Sequence, residues 1–483
     1  MWDRDPVPEA EEPAVAGDGR LSWIWMVVPL ALFFTVLGFL VRTATLPLTN
    51  PDTYFHLRFG DEFLAGWSLR HPGSVTSFAT AHWLPTQWAA EITMAKFEGW
   101  FGLGGVAWLS GCLILAYAVV IFLVCRRHAA LNVAALVTFL AVVASGPGLS
   151  ARPQVISYIL AVVTTAAWVR TGTDQRARWW LIPLTWLWAT LHGMWPVGIV
   201  IGFAAVLGIL LDRQVTRAAL PKLIAVPVLS AVAAAVTPVG PGLYGAVLLV
   251  GSRGHYFTEW GPPDFMTPAN FTLAIMLAIV IVVNMSRGPT NWRRIILIGL
   301  AGAFAIYSSR TVPIAAGVLA PVIAMTLQSL AGSEITFGRR ERLAVAAGIV
   351  VSLIALTALV PAAAKGVTEP SWEKPALSGL PNHTKLLNDD ALGGYLMWRY
   401  PRLDLVMDGY GDTFTDAELK RYVDLTNVAP GWDQLLHETG ARLALLRPSS
   451  SLAYALQTAE RWKVVHESKD LVLLQAPAGW SAG

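Results

Sequence analysis

The sequence predicts a polytopic α-helical membrane protein of about eleven transmembrane helices, with a helical first extracytoplasmic loop and a small C-terminal extracytoplasmic α/β domain. Three observations predict it. Of 483 residues, 55% are hydrophobic and only 14% charged, against roughly 25% charged in soluble domains. Apolar runs of membrane length recur along most of the chain. Beyond residue 365 the composition changes sharply, and Asp, Glu and Lys return to soluble levels. A net charge of +3 gives no reason to expect nucleic acid as a partner. The two cysteines, Cys112 and Cys125, fall in or at the end of one apolar run. Neither a disulfide framework nor a Cys-x-x-Cys metal or redox site is expected from them.

Residues 1–20 are acidic and rich in Pro and Ala, with no apolar pattern, and read as a disordered cytoplasmic tail. A transmembrane unit over 21–365 follows, with apolar runs at about 22–41, 105–124, 131–147, 153–169, 179–192, 195–211, 222–237, 269–285, 294–308, 311–330 and 343–363. Trp23, Trp25, Trp179, Trp180 and Trp195 crowd at run ends, as an interfacial belt would. Alternate loops carry the basic residues: Arg126 and Arg127; Arg170, Arg176 and Arg178; Arg213, Arg217 and Lys222; Arg287, Arg293 and Arg294; Arg339, Arg340 and Arg342. The positive-inside rule then places the N-terminus in the cytoplasm. With an odd number of spans, the loop 49–103 and the segment 366–483 both face outward. Within that loop, a periodic stretch at 51–66, a Pro/Ser/Thr-rich turn region at 71–86 and a helix near 87–101 are expected. In the tail, β-like runs at 403–407, 442–446, 462–465 and 471–474 alternate with helical ones near 415–427, 431–439 and 450–461, which reads as an α/β domain.

The stretch NPDTYFH follows the first apolar run. Asn50 suits a helix N-cap and Pro51 the first helical position, where its missing N–H costs nothing. At about 100° per residue, Asp52 and His56 share a face with Phe59 and Phe63, while Arg58 and Asp61 point away. A carboxylate on a packing face needs a partner or a task. The plainer alternative is that Asp52 favours the helix N-terminus and His56 is a satisfied surface histidine.

A second set of residues breaks the charge bias. Arg152 (in ARPQ), Arg253 and Arg310 (in SSRTVP) are cations at outward helix ends, where His192-Gly193 also falls. Arg152 and Arg310 abut helix starts at Pro153 and Pro313, where a guanidinium can hold a phosphate by two hydrogen bonds. Lipid headgroup contacts and a helix stop are the structural alternatives. With Glu91 as a second carboxylate, the inventory suits group transfer from a membrane-embedded phosphate donor: a carboxylate takes a hydroxyl proton and fixed cations stabilise the departing phosphate. The span centres hold almost no ionisable residues, unlike most ion-coupled transporters.

The stretches DTYFHLRFGDEFL, WLPTQWAAE, ARPQ, LHGMWPVG, TPVGPGLYG with the following TEWGPPDF, and GGYLMWRYPRLDLVMDGYGD are spread over nearly the whole chain. In them the sequence resembles the type C (GT-C) membrane glycosyltransferases, and within that superfamily a bacterial branch that uses polyprenyl-phosphate sugars. The resemblance implies a lipid-linked sugar donor, membrane lipids and an extracytoplasmic acceptor as partners, in the cell membrane. It puts Asp52 in the place of the first-loop catalytic acid. Many relatives carry two adjacent acids there, whereas Thr53 follows Asp52 here. A divalent metal (Mg or Mn) is therefore left open, and His56 or Glu91 would supply the second catalytic function. Arg152, Arg310 and His192 are the expected donor-phosphate ligands. Gln87, Glu259, Trp260 and Asp408 are the expected substrate contacts, although Glu259-Trp260 would serve equally as an interfacial anchor and the turn at Asp408 as a structural one. Two other function classes fit parts of the sequence: a flippase or transporter of lipid-linked saccharides, and a cell-envelope scaffold or glycan-binding membrane protein.

Overall fold

The computed structural model describes residues 24–480 apart from 214, 257, 287–290 and 333–334. The expected tail at 1–20, Trp23 and Arg287 lie outside the described residues. Thirteen helices run from α1 (Ile24–Ala44) through α2 (Pro51–Leu64), α3 (Trp88–Arg126), α4 (Leu131–Ser145), α5 (Gln154–Asp174), α6 (Leu181–Leu191) and α7 (Pro196–Leu211). They continue as α8 (Leu220–Ala235), α9 (Gly242–Ser252), α10 (Pro268–Ser286), α11 (Trp292–Tyr307), α12 (Val312–Ala331) and α13 (Arg339–Ala363). Among the described residues, 7 helices are long and apolar enough to cross a membrane, α4 being counted with the 3₁₀ turn Gly146–Gly148 that continues it to 18 residues. Four of the eleven expected runs fold as shorter helices: α6 has 11 residues and α7, α8 and α11 have 16 each. At 1.5 Å per residue these fall short of a hydrocarbon core about 30 Å thick. Sequence reading missed α9, whose 11 residues lie in a stretch expected to be loop.

Helix α2 begins as its sequence dictates. The Asn50 side chain accepts from the Asp52 N–H at 3.0 Å, and Pro51 occupies the first turn. The single apolar stripe is corrected: Thr53, Tyr54 and Leu57 are buried along with His56, Phe59 and Phe63. Helix α2 has two packed sides because it lies between α3 and the tail. On one side Gly60 lets the backbones meet, since a Cβ there would overlap the Glu91 carbonyl oxygen. On the other, a Cβ at Gly394 of the tail would overlap the Pro51 carbonyl oxygen. Thr53 Oγ1 donates to the Ala151 carbonyl at 2.9 Å, which pins the start of α2 to the turn before Arg152.

Helix α3 bends at Gly102, whose φ of 60° belongs to the left-handed region. The bend separates the expected loop helix from the apolar run that follows, and leaves Trp100 and Phe101 exposed beside it.

The tail opens with α14 (Glu373–Ser378) and continues β1 (Lys385–Asn388), α15 (Asp390–Arg399), β2 (Asp404–Leu405), α16 (Asp416–Thr426), α17 (Trp432–Thr439), β3 (Leu443–Leu446), α18 (Ser451–Thr458), β4 (Lys463–Glu467) and β5 (Val472–Gln475). The sheet order is β2-β1-β3-β5-β4, with β1 parallel to both β2 and β3 and the β5 pairings antiparallel. Strand β1 lay outside the expected strands because KLLN is only 4 residues long and lacks alternation. Burial on both faces produces that pattern. Alternate residues serve two cores. Leu386, Leu445 and Leu473 join the core that runs into the membrane helices, and Leu387, Leu446 and Leu474 pack under α16–α18.

The loop 65–87 straps this domain down. Thr76 Oγ1 and the Ser77 N–H both donate to Asp404 at 2.8 Å, and Thr80 Oγ1 donates to Glu418 at 2.6 Å. Tyr410 packs at tilted and edge-on angles among Phe55, Phe59 and Trp83, at centroid distances of 4.9, 5.1 and 5.6 Å.

Gly60→Ala should lower stability by about 1–3 kcal/mol, the usual range for overpacking. Gly38→Ala, with nothing within 4 Å of the added methyl, should be neutral. Thermal unfolding of both variants in detergent checks the contrast.

Candidate functional site

A cavity of about 330 Å³ lies between the helix ends on the tail side and the tail domain itself. Helix α2 contributes Asp52, Phe55 and His56. The turn after α6 contributes His192, Gly193 and Met194. Glu259, Trp260 and Arg310 come from neighbouring turns, and Gly409–Asp412 of the tail closes the top.

The charges are arranged around Arg152. Its Nη1 donates to Asp52 Oδ2 at 2.7 Å and to both Glu259 oxygens at 2.9 Å, and its Nε donates to Ser150 at 3.0 Å. Burial opposes the Arg152 charge, but the two carboxylates outweigh it and raise its pKa. Burial likewise works against the Glu259 charge, and Arg152 followed by Arg310 holds that carboxyl below its usual range. Arg152, expected to hold phosphate, is therefore already committed to two acids. Glu259, expected as a substrate contact, anchors it.

Arg310 is arranged differently. It sits in a single 3₁₀ turn, Ser309–Thr311, closed by a Ser308/Thr311 capping box. The Ser309 N–H donates to the Gly261 carbonyl at 3.0 Å, which draws Trp260 alongside. The guanidinium stacks on Trp260 at 5.3 Å from the ring centroid. Its Nε is buried without a hydrogen-bond partner, and Arg310 makes no ion pair among the described residues.

His56 Nδ1 lies 3.1 Å from Glu91 Oε1, with both side chains buried. Glu91 does not line the cavity; it stands behind His56. Burial first, and then the fields of His192, Arg152 and Arg310, hold the imidazole well below the usual histidine range. With Nδ1 engaged by Glu91, neutral His56 has Nε2 left for the cavity. His192 is buried as well. Its Nδ1 meets the Ser157 hydroxyl at 2.8 Å and accepts from the Met194 N–H at 3.3 Å, and burial followed by Arg310 and Arg152 pushes its pKa down to about 3. His192 can offer a hydrogen bond to a phosphate but no charge.

Gln87 lines the cavity at the start of α3, with no side-chain capping bond. Asp408 does not line it: its carboxylate accepts from the Tyr410 N–H at 2.7 Å and from Thr413 Oγ1 at 3.0 Å, and burial lifts it to about 7. It builds the turn. The residue of DGYGD that reaches the cavity is Asp412, the second acid of that strand-end turn, and the lining residues that sequence reasoning passed over are Tyr256, Tyr410 and Tyr422. Only the turn at Gly409, with φ of 84°, decides which acid faces in.

No group of three or more His, Cys, Asp or Glu among the described residues could hold a metal ion. Asp52 and Glu259 converge on a guanidinium instead, so this donor set does not fit a divalent cation.

The class these features define is a multi-spanning helical membrane protein with a polar cavity roofed by a small α/β domain. Its fold is similar to those of two solved membrane proteins. The oligosaccharyltransferase of Archaeoglobus fulgidus superposes with a TM-score of 0.52 at 10% identity, covering 92% of this chain and 71% of that one. ArnT from Cupriavidus metallidurans superposes with a TM-score of 0.51 at 16% identity, covering 96% of this chain and 100% of that one. No protein-family model and no curated protein matches the sequence.

Arg152→Gln strands Asp52 and Glu259 as neighbouring like charges. Those carboxylates are 25% and 48% exposed, so solvent screening reduces the loss from the fully buried value to about 1–3 kcal/mol. Because the Glu259 pKa is depressed in the folded state, the wild-type advantage should be complete above pH 4.5, its ordinary value, and shrink as pH falls through the folded pKa. Unfolding of both proteins across pH 3–8 tests the sign.

Proposed function

We propose that the protein is a membrane glycosyltransferase that moves a sugar from a polyprenyl-phosphate donor to an acceptor hydroxyl on the extracytoplasmic face of the cell membrane. The observation that carries this reading is one cavity that pairs a carboxylate fixed in position, Asp52, with a guanidinium free of any acid, Arg310. The likeness in fold supports it. Basic residues in alternate loops support an orientation with the cavity and tail outward.

In this mechanism the donor phosphate sits on Arg310, with the Trp260 ring behind the guanidinium. Asp52 holds one oxygen on Arg152 and turns the other to the cavity, where it takes the acceptor proton. The acceptor oxygen forms a bond to the anomeric carbon as the bond from that carbon to the phosphate oxygen breaks. The electron pair leaves with the phosphate, and Arg310 stabilises the charge that develops there. His56, neutral and oriented by Glu91, contacts the acceptor through Nε2 and aligns its hydroxyl with Asp52, which alone takes the proton. A separate apolar groove between α3, α5 and α6, lined by Val106, Leu109 and Ile156 and bounded by Arg152, supports a place for the lipid chain.

Asp52→Asn should leave the protein folded and lower sugar transfer by roughly 10²–10⁴-fold, the range of a lost acid or base. Transfer of labelled sugar in reconstituted membranes measures it, and full activity would remove Asp52 from the mechanism. Arg310→Ala should raise the donor KM by about 10–100-fold, as expected for a lost charged hydrogen bond. With His56 required neutral, kcat/KM should stay flat as pH falls through 6.5, the usual histidine value, and decline only well below it. A decline centred at 6.5 would contradict the buried neutral imidazole.

A further inference from the structure

The tail domain brings one carboxyl into the cavity that the mechanism does not use. Asp52 and Glu259 are committed to Arg152, Glu91 to His56 and Asp408 to its own turn. Asp412 lines the cavity and makes no ion pair within 4.0 Å among the described residues. Its position is nonetheless firmly set. Arg253, from the turn after α9, bonds Asp416 through Nε at 2.6 Å and the Gly411 carbonyl through Nη1 at 3.3 Å, on either side of Asp412. Gly409 fits against α15, where a Cβ at Gly393 would lie 2.5 Å from the Met407 carbonyl oxygen. The loop is thus clasped by the turn after α9 on one side and by α15 on the other.

We propose that Asp412 is the group that recognises the ring hydroxyls of the transferred sugar, so that donor specificity is set by the tail domain rather than by the membrane helices. The inference rests on the glycosyltransferase reading. In a glycosyl phosphate the ring is joined to the phosphate through a single oxygen. Arg310 and Asp412 line the same cavity, so a phosphate on Arg310 carries its sugar towards the roof. There the carboxyl shares the cavity wall with Tyr256, Tyr410 and Tyr422. A hydroxyl-binding acid beside aromatic rings is the chemistry that holds a sugar, apolar on its C–H faces and polar at its edge. A loop clasped at both ends also loses little entropy on binding.

The test compares binding of undecaprenyl phosphate, without sugar, with that of its hexosyl and pentosyl esters in detergent micelles, for wild type, Asp412→Asn and Arg310→Ala. Wild type should prefer one glycosylated lipid over the bare one by about 10–100-fold, as for hydrogen bonds to a charged group. Asp412→Asn should erase that preference and bind the bare lipid as wild type does, while Arg310→Ala should weaken both lipids. A sugar preference that survives in Asp412→Asn, or a wild type that binds bare and glycosylated lipids equally, overturns the proposal and leaves the glycosyltransferase reading intact. Failure of wild type to bind any of the lipids overturns both. Thermal unfolding checks that the variant is folded, and Asp412→Glu, which moves the carboxyl by one methylene, supplies the same comparison if the amide is not tolerated.

Discussion

Everything around the cavity depends on the close approach of α2 to two neighbours at once. Gly60 admits the backbone of α3 and Gly394 brings α15 of the tail against Pro51. A side chain at either point would push the helix away from one partner. The consequences reach the chemistry directly, because His56 lies one turn from Gly60, Glu91 is the residue Gly60 meets, and Asp52 follows Pro51. Close backbone contact lets short polar side chains span the gap between elements: Asp52 meets Arg152 and His56 meets Glu91. Longer separations would leave these groups buried without partners, at a cost that packing of this size does not offset.

The electrostatics follow from that geometry. One guanidinium is neutralised by two carboxylates, and a second is left to an aromatic ring. Two histidines are kept neutral by burial within the field of these cations. A structural cation, Arg152, thereby braces two acids of the cavity wall while another, Arg310, lines the cavity itself, and the two are distinguished by their partners and not by residue type. An anionic ligand gains most at Arg310, where no protein carboxylate must first be displaced.

Much of this was legible in the chain. The Asn50-Pro51 start and the 3.6-residue period marked α2, and Asp52, His56, Arg310 and Trp260 stood out because they are polar or interfacial groups at helix ends. Other parts were hidden by the pattern itself. Strand β1 is buried on both faces and shows no alternation. Helix α9 is short and Gly-rich, so it reads as loop. Asp408 and Asp412 sit four residues apart in one turn, and nothing local says which one faces the cavity.

Residue type and period determined the membrane class, the helical loop and the α/β tail, because burial of apolar faces and helix capping act over a few neighbouring residues. The tertiary structure alone decided which acid met which cation. Those pairings join residues about 100 positions apart along the chain, and the energy of a charge depends on what surrounds it in space. The same residue type is a strut at Arg152 and an open binding group at Arg310, since only the folded chain brings Asp52 and Glu259 to the one and Trp260 to the other.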